Sequence, residues 1–185
     1  AVAALSFSVF GQELLSGLAY LYRQKTLVII IGLATFLNFA VSPIEALEAA
    51  YVGELLQQGP GTLSALSIGM AAGMIVGGVL LGQLGNRVRK GTLMVAGFVL
   101  MGASIGMMVL PPLLDAPRSA LVFAAGLYML LGLSINLIAS PATAYVMEQT
   151  PPDMLGRVAS LFNTFCLAAF PIGSALSGAV AEQIQ

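Results

Sequence analysis

The chain has 185 residues, of which 58% are hydrophobic and 8% charged, with a formal net charge of −1 and a mean hydropathy of +0.97. A soluble domain carries about 25% charged residues, so this composition excludes one, and so small a net charge points to no nucleic acid or acidic partner. With no His, Ser-His-Asp and Cys-His catalysis and His-ligated zinc are closed, and a lone Cys166 supports neither a disulfide framework nor a thiol metal site. No enzyme, metal or cofactor is expected.

Residues 1–24 read as an amphipathic helix lying along the cytoplasmic interface. Leu14, Leu18 and Leu21 repeat at helical spacing, Gln12, Glu13 and Arg23 take polar positions, and Tyr20 and Tyr22 stand near the boundary. The alternative is the tail of a preceding span. Five charge-free runs follow, at 26–44, 55–85, 91–114, 119–147 and 158–181. Each holds an apolar stretch near the ~20 residues that cross a bilayer core as a helix. The spacing predicts spans of about 26–50, 62–84, 91–112, 119–147 and 158–181 within one membrane bundle, 25–185. Turns at Gln57-Gln58-Gly59-Pro60-Gly61, 86–90, 111–118 and 148–157 are short, so neighbouring spans are antiparallel and adjacent. The fold class is all-α: a polytopic membrane helix bundle.

Threaded alternately from the inside, the chain places Arg23, Lys25, Arg87, Arg89, Lys90 and Arg157 on its starting side and only Arg118 opposite. The positive-inside rule makes the starting side the cytoplasm, with the N-terminus and basic loops in the cytoplasm of a cell whose inner membrane holds the protein.

Polar groups within the spans are the candidate cavity residues. Asn38 falls some ~17 Å into the first span, near the midplane, counting about 1.5 Å per residue. It is followed by Ser42 and by Pro43, which leaves the Phe39 carbonyl without its helical donor. The fourth span repeats the pattern: Asn136, three apolar residues, Ser140 and Pro141, the latter freeing the Leu137 carbonyl. An amide in hydrocarbon must find a partner, either a neighbouring helix or a substrate. Glu45 and Glu48 share a helix face at about 27 to 32 Å along the first span, in an outer vestibule suited to a cationic substrate or a proton.

The Asn-Ser-Pro match is joined by a second match between the second and fifth spans at nearly the same offset. It pairs Ser64 with Ser160, Ala72 with Ala168, Gly77 with Gly173, Leu80 with Leu176 and Gly82 with Gly178. The matched spans cross in opposite directions, which is an inverted repeat, a building plan of secondary transporters. Gly69, Gly73 and Gly77 form a stripe on the second span, Gly102 and Gly106 on the third, and Ala169, Gly173 and Ser177 on the fifth. Such stripes let helix backbones approach closely, and beside Pro171 one of them could also be a hinge.

The turn Gly82-Gln83-Leu84-Gly85-Asn86-Arg87-Val88-Arg89-Lys90-Gly91 resembles the signature loop of the major facilitator superfamily, Gly-x-Leu-small-Asp-Arg-x-Gly-basic-basic. Gly82, Leu84, Gly85, Arg87 and Lys90 match, whereas Asn86 replaces the Asp, Arg89 stands at the Gly position and Gly91 replaces the last basic residue. In the family this loop ties helix ends together in the outward-facing state; Asn86 would weaken the charge-assisted part of that latch. Pro152 through Gly156 and Arg157 is similar to the turn before the family's eleventh helix. Phe170-Pro171-Ile172-Gly173 is similar to a motif in the fifth helix of antiporter members. Residues 13–25 resemble the linker into the seventh helix in the efflux branch that includes macrolide and enterobactin exporters. The resemblance implies helices seven to eleven of twelve, an inverted 3+3 repeat, and alternating access about a central site with no covalent chemistry. It implies as partners the lipid bilayer, a small amphipathic substrate and the N-terminal half of the same transporter. The start at Ala1-Val2-Ala3 and the odd number of spans lead to the expectation of a fragment that does not transport alone. The competing reading is a small structural or partner-binding membrane protein.

The topology predicts that, in a Cys166→Ala background on intact cells, a membrane-impermeant thiol reagent labels Ala116→Cys and spares Arg89→Cys. The reverse pattern would invert the assignment.

Overall fold

The computed structural model describes residues 7–184 except 57, 58, 60, 86 and 115, so residues 1–6 of the interfacial segment and Asn86 of the signature loop lie outside it. The fold is helical throughout: α1 (Phe7–Arg23), α2 (Lys25–Ala50) extended by a π-helical turn (Tyr51–Leu55), α3 (Gly61–Leu84), α4 (Lys90–Met107), a 3₁₀ turn (Pro111–Leu113), α5 (Pro117–Gln149) and α6 (Leu155–Ile184). Among the described residues five helices are long and apolar enough to cross a membrane: Lys25–Glu54, Gly61–Gln83, Lys90–Leu113, Pro117–Gln149 and Leu155–Ala179. The first runs past residue 50 because nothing there stops it, and it ends only where the Leu56 N–H bonds the Tyr51 carbonyl at 3.0 Å.

Helix limits follow local chemistry. Pro117 opens α5 at a position whose N–H would have no helical partner. The same helix closes at Thr150, held extended by the Pro151 that follows, while the Thr150 hydroxyl donates to the Val146 carbonyl at 2.6 Å. Prolines sit inside α2 (Pro43), α5 (Pro141) and α6 (Pro171).

α5 is the centre of the bundle, packed by α3, α4 and α2, while α2 packs chiefly on α6. In α2 and α5, 39% of the most apolar stretch is buried, against 17% in α3, so α3 presents most of its surface outward. Large side chains such as Ile29, Ile75, Val95, Val122 and Leu167 are exposed on every span, as a lipid-facing surface requires.

Backbone proximity sets these contacts. A methyl group built at Gly69 would lie 2.7 Å from the Ala125 carbonyl oxygen, one at Gly73 would strike the Met129 carbonyl, and one at Gly77 would lie 3.0 Å from the Asn136 Cβ. Gly132 answers from the other side against Met70 and Met74. Contacts that advance together along both chains mean that α3 and α5 run parallel. Gly97 brings α4 onto Ile138 and Ser134, and Gly173 brings α6 onto Ser42 and Phe39 of α2. Buried Ser104 and Ser134 fit these interfaces by returning their hydroxyls to their own helices, at Leu100 (2.8 Å) and Leu130 (2.6 Å).

One end of the bundle gathers the basic segments. Lys90 pairs with Glu148, the Tyr20 hydroxyl donates to the Gln149 carbonyl at 3.1 Å, and Arg157 reaches the Ser16 hydroxyl at 3.3 Å. α1 lies here against the start of α6, with Gly17 beside Leu161 and Arg157. Leu21 is buried against the bundle, whereas Leu18 and Tyr22 remain exposed. At the opposite end the Tyr51 hydroxyl donates to the Met108 carbonyl at 3.0 Å, tying the end of α2 to that of α4.

Gly73→Leu should destabilise the protein by roughly 1–3 kcal/mol, because the collision is with backbone that cannot rotate away. Gly102→Leu, where nothing lies within 4 Å, should be near neutral. Thermal unfolding of both variants in one detergent checks the contrast.

Candidate functional site

A cavity of about 460 Å³ opens between α2, α3 and α5, in the half of the bundle away from the basic end. α2 contributes Val41, Ile44, Glu45 and Glu48; α3 contributes Ser67, Met70, Ala71 and Met74; α5 contributes Tyr128, Leu131 and Ile135. Helical spacing explains the set. Positions 41, 44, 45 and 48 form one face of α2, and 128, 131 and 135 one face of α5. Behind Tyr128, the buried residues Val52, Leu56, Leu66, Ala120 and Ala124 close that end of the cavity.

The two carboxylates are the only charges in this lining, and among the described residues neither has a hydrogen bond or ion pair. Tyr128 is 2% exposed and its hydroxyl has no hydrogen-bond partner. Tyr128 lines the same cavity as Glu45 and Glu48. A wall that is apolar apart from these groups and Ser67 thus carries two acceptors with spare capacity and one unpaired hydroxyl.

The polar residues singled out in the sequence divide between this cavity and the helix contacts. Glu45 and Glu48 line the cavity. Asn38, one turn before Val41, is half-buried and folds its amide onto the Ala34 carbonyl of its own helix at 2.9 Å. Ser42 is fully buried between α2 and α6, where its hydroxyl donates at 3.0 Å to the Phe39 carbonyl that Pro43 leaves without its helical donor. Asn136 fastens α5 to α3 by donating to the Met74 carbonyl at 2.7 Å, and Ser140 donates to the Asn136 side chain. Met74 is itself part of the lining, so Asn136 stands directly behind one wall.

In the signature loop the Gly85 N–H returns to the Leu81 carbonyl at 2.7 Å, Gly82, Arg87 and Arg89 are exposed, and Lys90 pairs with Glu148. Leu84 ends α3. Gly156 stands in open space and Arg157 also reaches the Met154 sulfur at 3.7 Å. Sequence reasoning passed over Tyr128, Met70, Met74 and Glu148. A lone tyrosine within an apolar span was the available signal for Tyr128. The carboxylate nearest the fourth span's inner end was the signal for Glu148.

The match to the Major Facilitator Superfamily runs over residues 4–184. The chain belongs to the Major Facilitator Superfamily. It is a multi-pass membrane protein of a transport family, not an enzyme, and among the described residues no group of three or more His, Cys, Asp or Glu is placed to hold a metal. It is 31% identical over 175 residues to macrolide efflux protein A of Streptococcus pyogenes, covering 95% of this chain and 42% of that protein. It is 31% identical over 164 residues to macrolide efflux protein A of Enterococcus faecalis, covering 89% and 49%. The chain therefore spans less than half the length of these curated superfamily relatives. No solved structure matches it significantly.

Ser42→Ala should cost about 1–2 kcal/mol of stability, since it strips a buried carbonyl of its remaining donor. Ser42→Cys, which keeps a weak donor, should cost less. Thermal melts of the two variants side by side give the comparison.

Proposed function

We propose that these residues form helices seven to eleven of a twelve-helix secondary transporter, most of its C-terminal half, and that the whole protein exports a small amphipathic compound by alternating access. The observation that carries this reading is the 31% identity along 95% of the chain to a macrolide efflux protein of which it matches 42%. A half-transporter aligned to a whole one gives such a fraction.

The inverted 3+3 repeat has support in the packing. Gly77 of α3 meets Leu133 and Asn136 of α5, and its repeat partner Gly173 of α6 meets Phe39 and Ser42 of α2. The exchange of halves that aligns Asn38 with Asn136 and Gly77 with Gly173 relates the two contacts to within about one helical turn. In this reading the basic end of the bundle faces the cytoplasm, α1 is the interfacial linker from the N-terminal half, and the Lys90–Glu148 pair latches the cytoplasmic ends of α4 and α5. That pair supplies a charge-assisted tie from the signature loop even though Asn86 stands at the acidic position.

Apposed to the N-terminal half, the open side of α2, α3 and α5 becomes one wall of a central cavity. Asn38 and Asn136, with Ser140 on Asn136, are the midplane polar groups of that wall, and Glu45 and Glu48 border its outer part. Rocking of the halves exposes the wall to each side in turn.

Cells expressing the full-length protein should accumulate less of a fluorescent amphipathic compound than cells with the empty vector. Asn38→Leu should weaken that export while lowering stability by at most about 0.5–1.5 kcal/mol, the worth of the hydrogen bond its amide makes within its own helix. Equal accumulation across a panel of cationic, neutral and anionic amphiphiles would sink the efflux reading. Normal export by Asn38→Leu would remove that residue from the wall.

A further inference from the structure

We propose that the cavity between α2, α3 and α5 is a recognition site for a protonated organic amine, its N–H groups held by Glu45, Glu48 and the Tyr128 hydroxyl. The inference rests on the transporter reading above and deepens it by naming the chemical class of the substrate.

Two carboxylates three residues apart on one helix face repel each other, and they do so here in an apolar wall. Among the described residues no cation lies in this lining to relieve them. Every basic residue but Arg118 is at the other end of the bundle, and Arg118 lies about 15 Å from Tyr128 toward the start of α5, outside the lining. An acidic pair alone would be a hydrated surface feature. Tyr128 is the independent sign of a ligand: a hydroxyl buried on the cavity wall with its hydrogen bond unmade. Its oxygen accepts from an ammonium N–H.

The rest of the wall selects the kind of cation. Val41, Ile44, Leu131 and Ile135 with the thioethers of Met70 and Met74 offer almost no oxygen to replace the water shell of an inorganic ion. They suit an apolar body, and methionine side chains adapt to varied shapes. A volume of about 460 Å³ falls within the range of small-molecule sites. The ligand is therefore an amphipathic primary, secondary or tertiary ammonium compound. A quaternary one would meet the charge but offer no N–H to the two carboxylates and the hydroxyl.

The test uses the full-length protein in lipid nanodiscs, with dansylcadaverine, a fluorescent primary ammonium compound, and its uncharged N-acetylated analogue as probes. Native protein should bind the amine about tenfold to a hundredfold more tightly than the analogue, the worth of a hydrogen bond to a charged group. The double variant Glu45→Gln, Glu48→Gln should bind both probes alike, its retained affinity for the analogue reporting an intact pocket. Tyr128→Phe should weaken amine binding by roughly threefold to tenfold and leave the analogue unaffected. Equal affinity for the two probes in the native protein, or a preference that survives the double Gln variant, overturns the proposal. So does a Tyr128→Phe variant that melts higher with amine binding unchanged, which would make the hydroxyl a mere packing defect. Failure here is separable from failure of the efflux reading: export without amine preference removes the site alone, and amine preference without export removes the transport role alone.

Discussion

Helices in a bilayer gain little from burying apolar side chains against one another, because lipid tails are as apolar as leucine. Close contact of backbones must supply the packing, and in this protein it does so at a few glycines. Gly69, Gly73 and Gly77 press α3 onto α5, Gly97 seats α4 on α5, and Gly173 seats α6 on α2. The cavity follows from that pattern. α3 is committed to α5 and α2 to α6, and among the described residues no comparable small-residue seam joins α2 to α3. Larger side chains, Met70, Met74 and Tyr128 among them, hold that corner open.

The proline-bearing helices show how the same constraint is met in two ways. Each internal proline removes a helical hydrogen bond, and nothing in hydrocarbon replaces it except the protein itself. In α2 the residue before Pro43 does this, with Ser42 donating to the Phe39 carbonyl while Gly173 admits the neighbouring helix against both. In α5 the matching serine turns instead to Asn136, whose amide crosses to α3. Matched sequence patterns thus serve different bonds: one seals an interface locally, and the other ties two helices together beside the cavity.

Charge is distributed with equal economy. All the basic residues but Arg118 collect at one end, where Lys90–Glu148 and the reach of Arg157 to Ser16 join segments distant in the chain. The pair is partly exposed and contributes little to stability, so its use is positional. In the other half of the bundle two acids stand without such a partner. That asymmetry separates groups that hold the fold together from groups left available to a ligand.

The five spans, the all-helical class and the superfamily were legible in the sequence, because run length, hydropathy and a loop motif are local properties that survive without knowledge of neighbours. The stripe of Gly69, Gly73 and Gly77 was legible as a packing surface for the same reason, whereas Gly102 and Gly106, expected to pack likewise, meet nothing within 4 Å. What each polar side chain faces was not. Asn38 was legible as a midplane amide, yet it bonds within its own helix. Tyr128 carried no motif, yet it stands in the cavity wall with its hydroxyl unpaired. Rotation of a helix about its axis and the choice of its neighbour are decided by contacts between residues 60 or more positions apart, such as Asn136 with Met74 and Gly173 with Phe39. The sequence by itself determined how many helices cross and to which family they belong. Only the tertiary structure decided which of their polar groups close an interface and which are left open to a ligand, since that depends on where two backbones can touch.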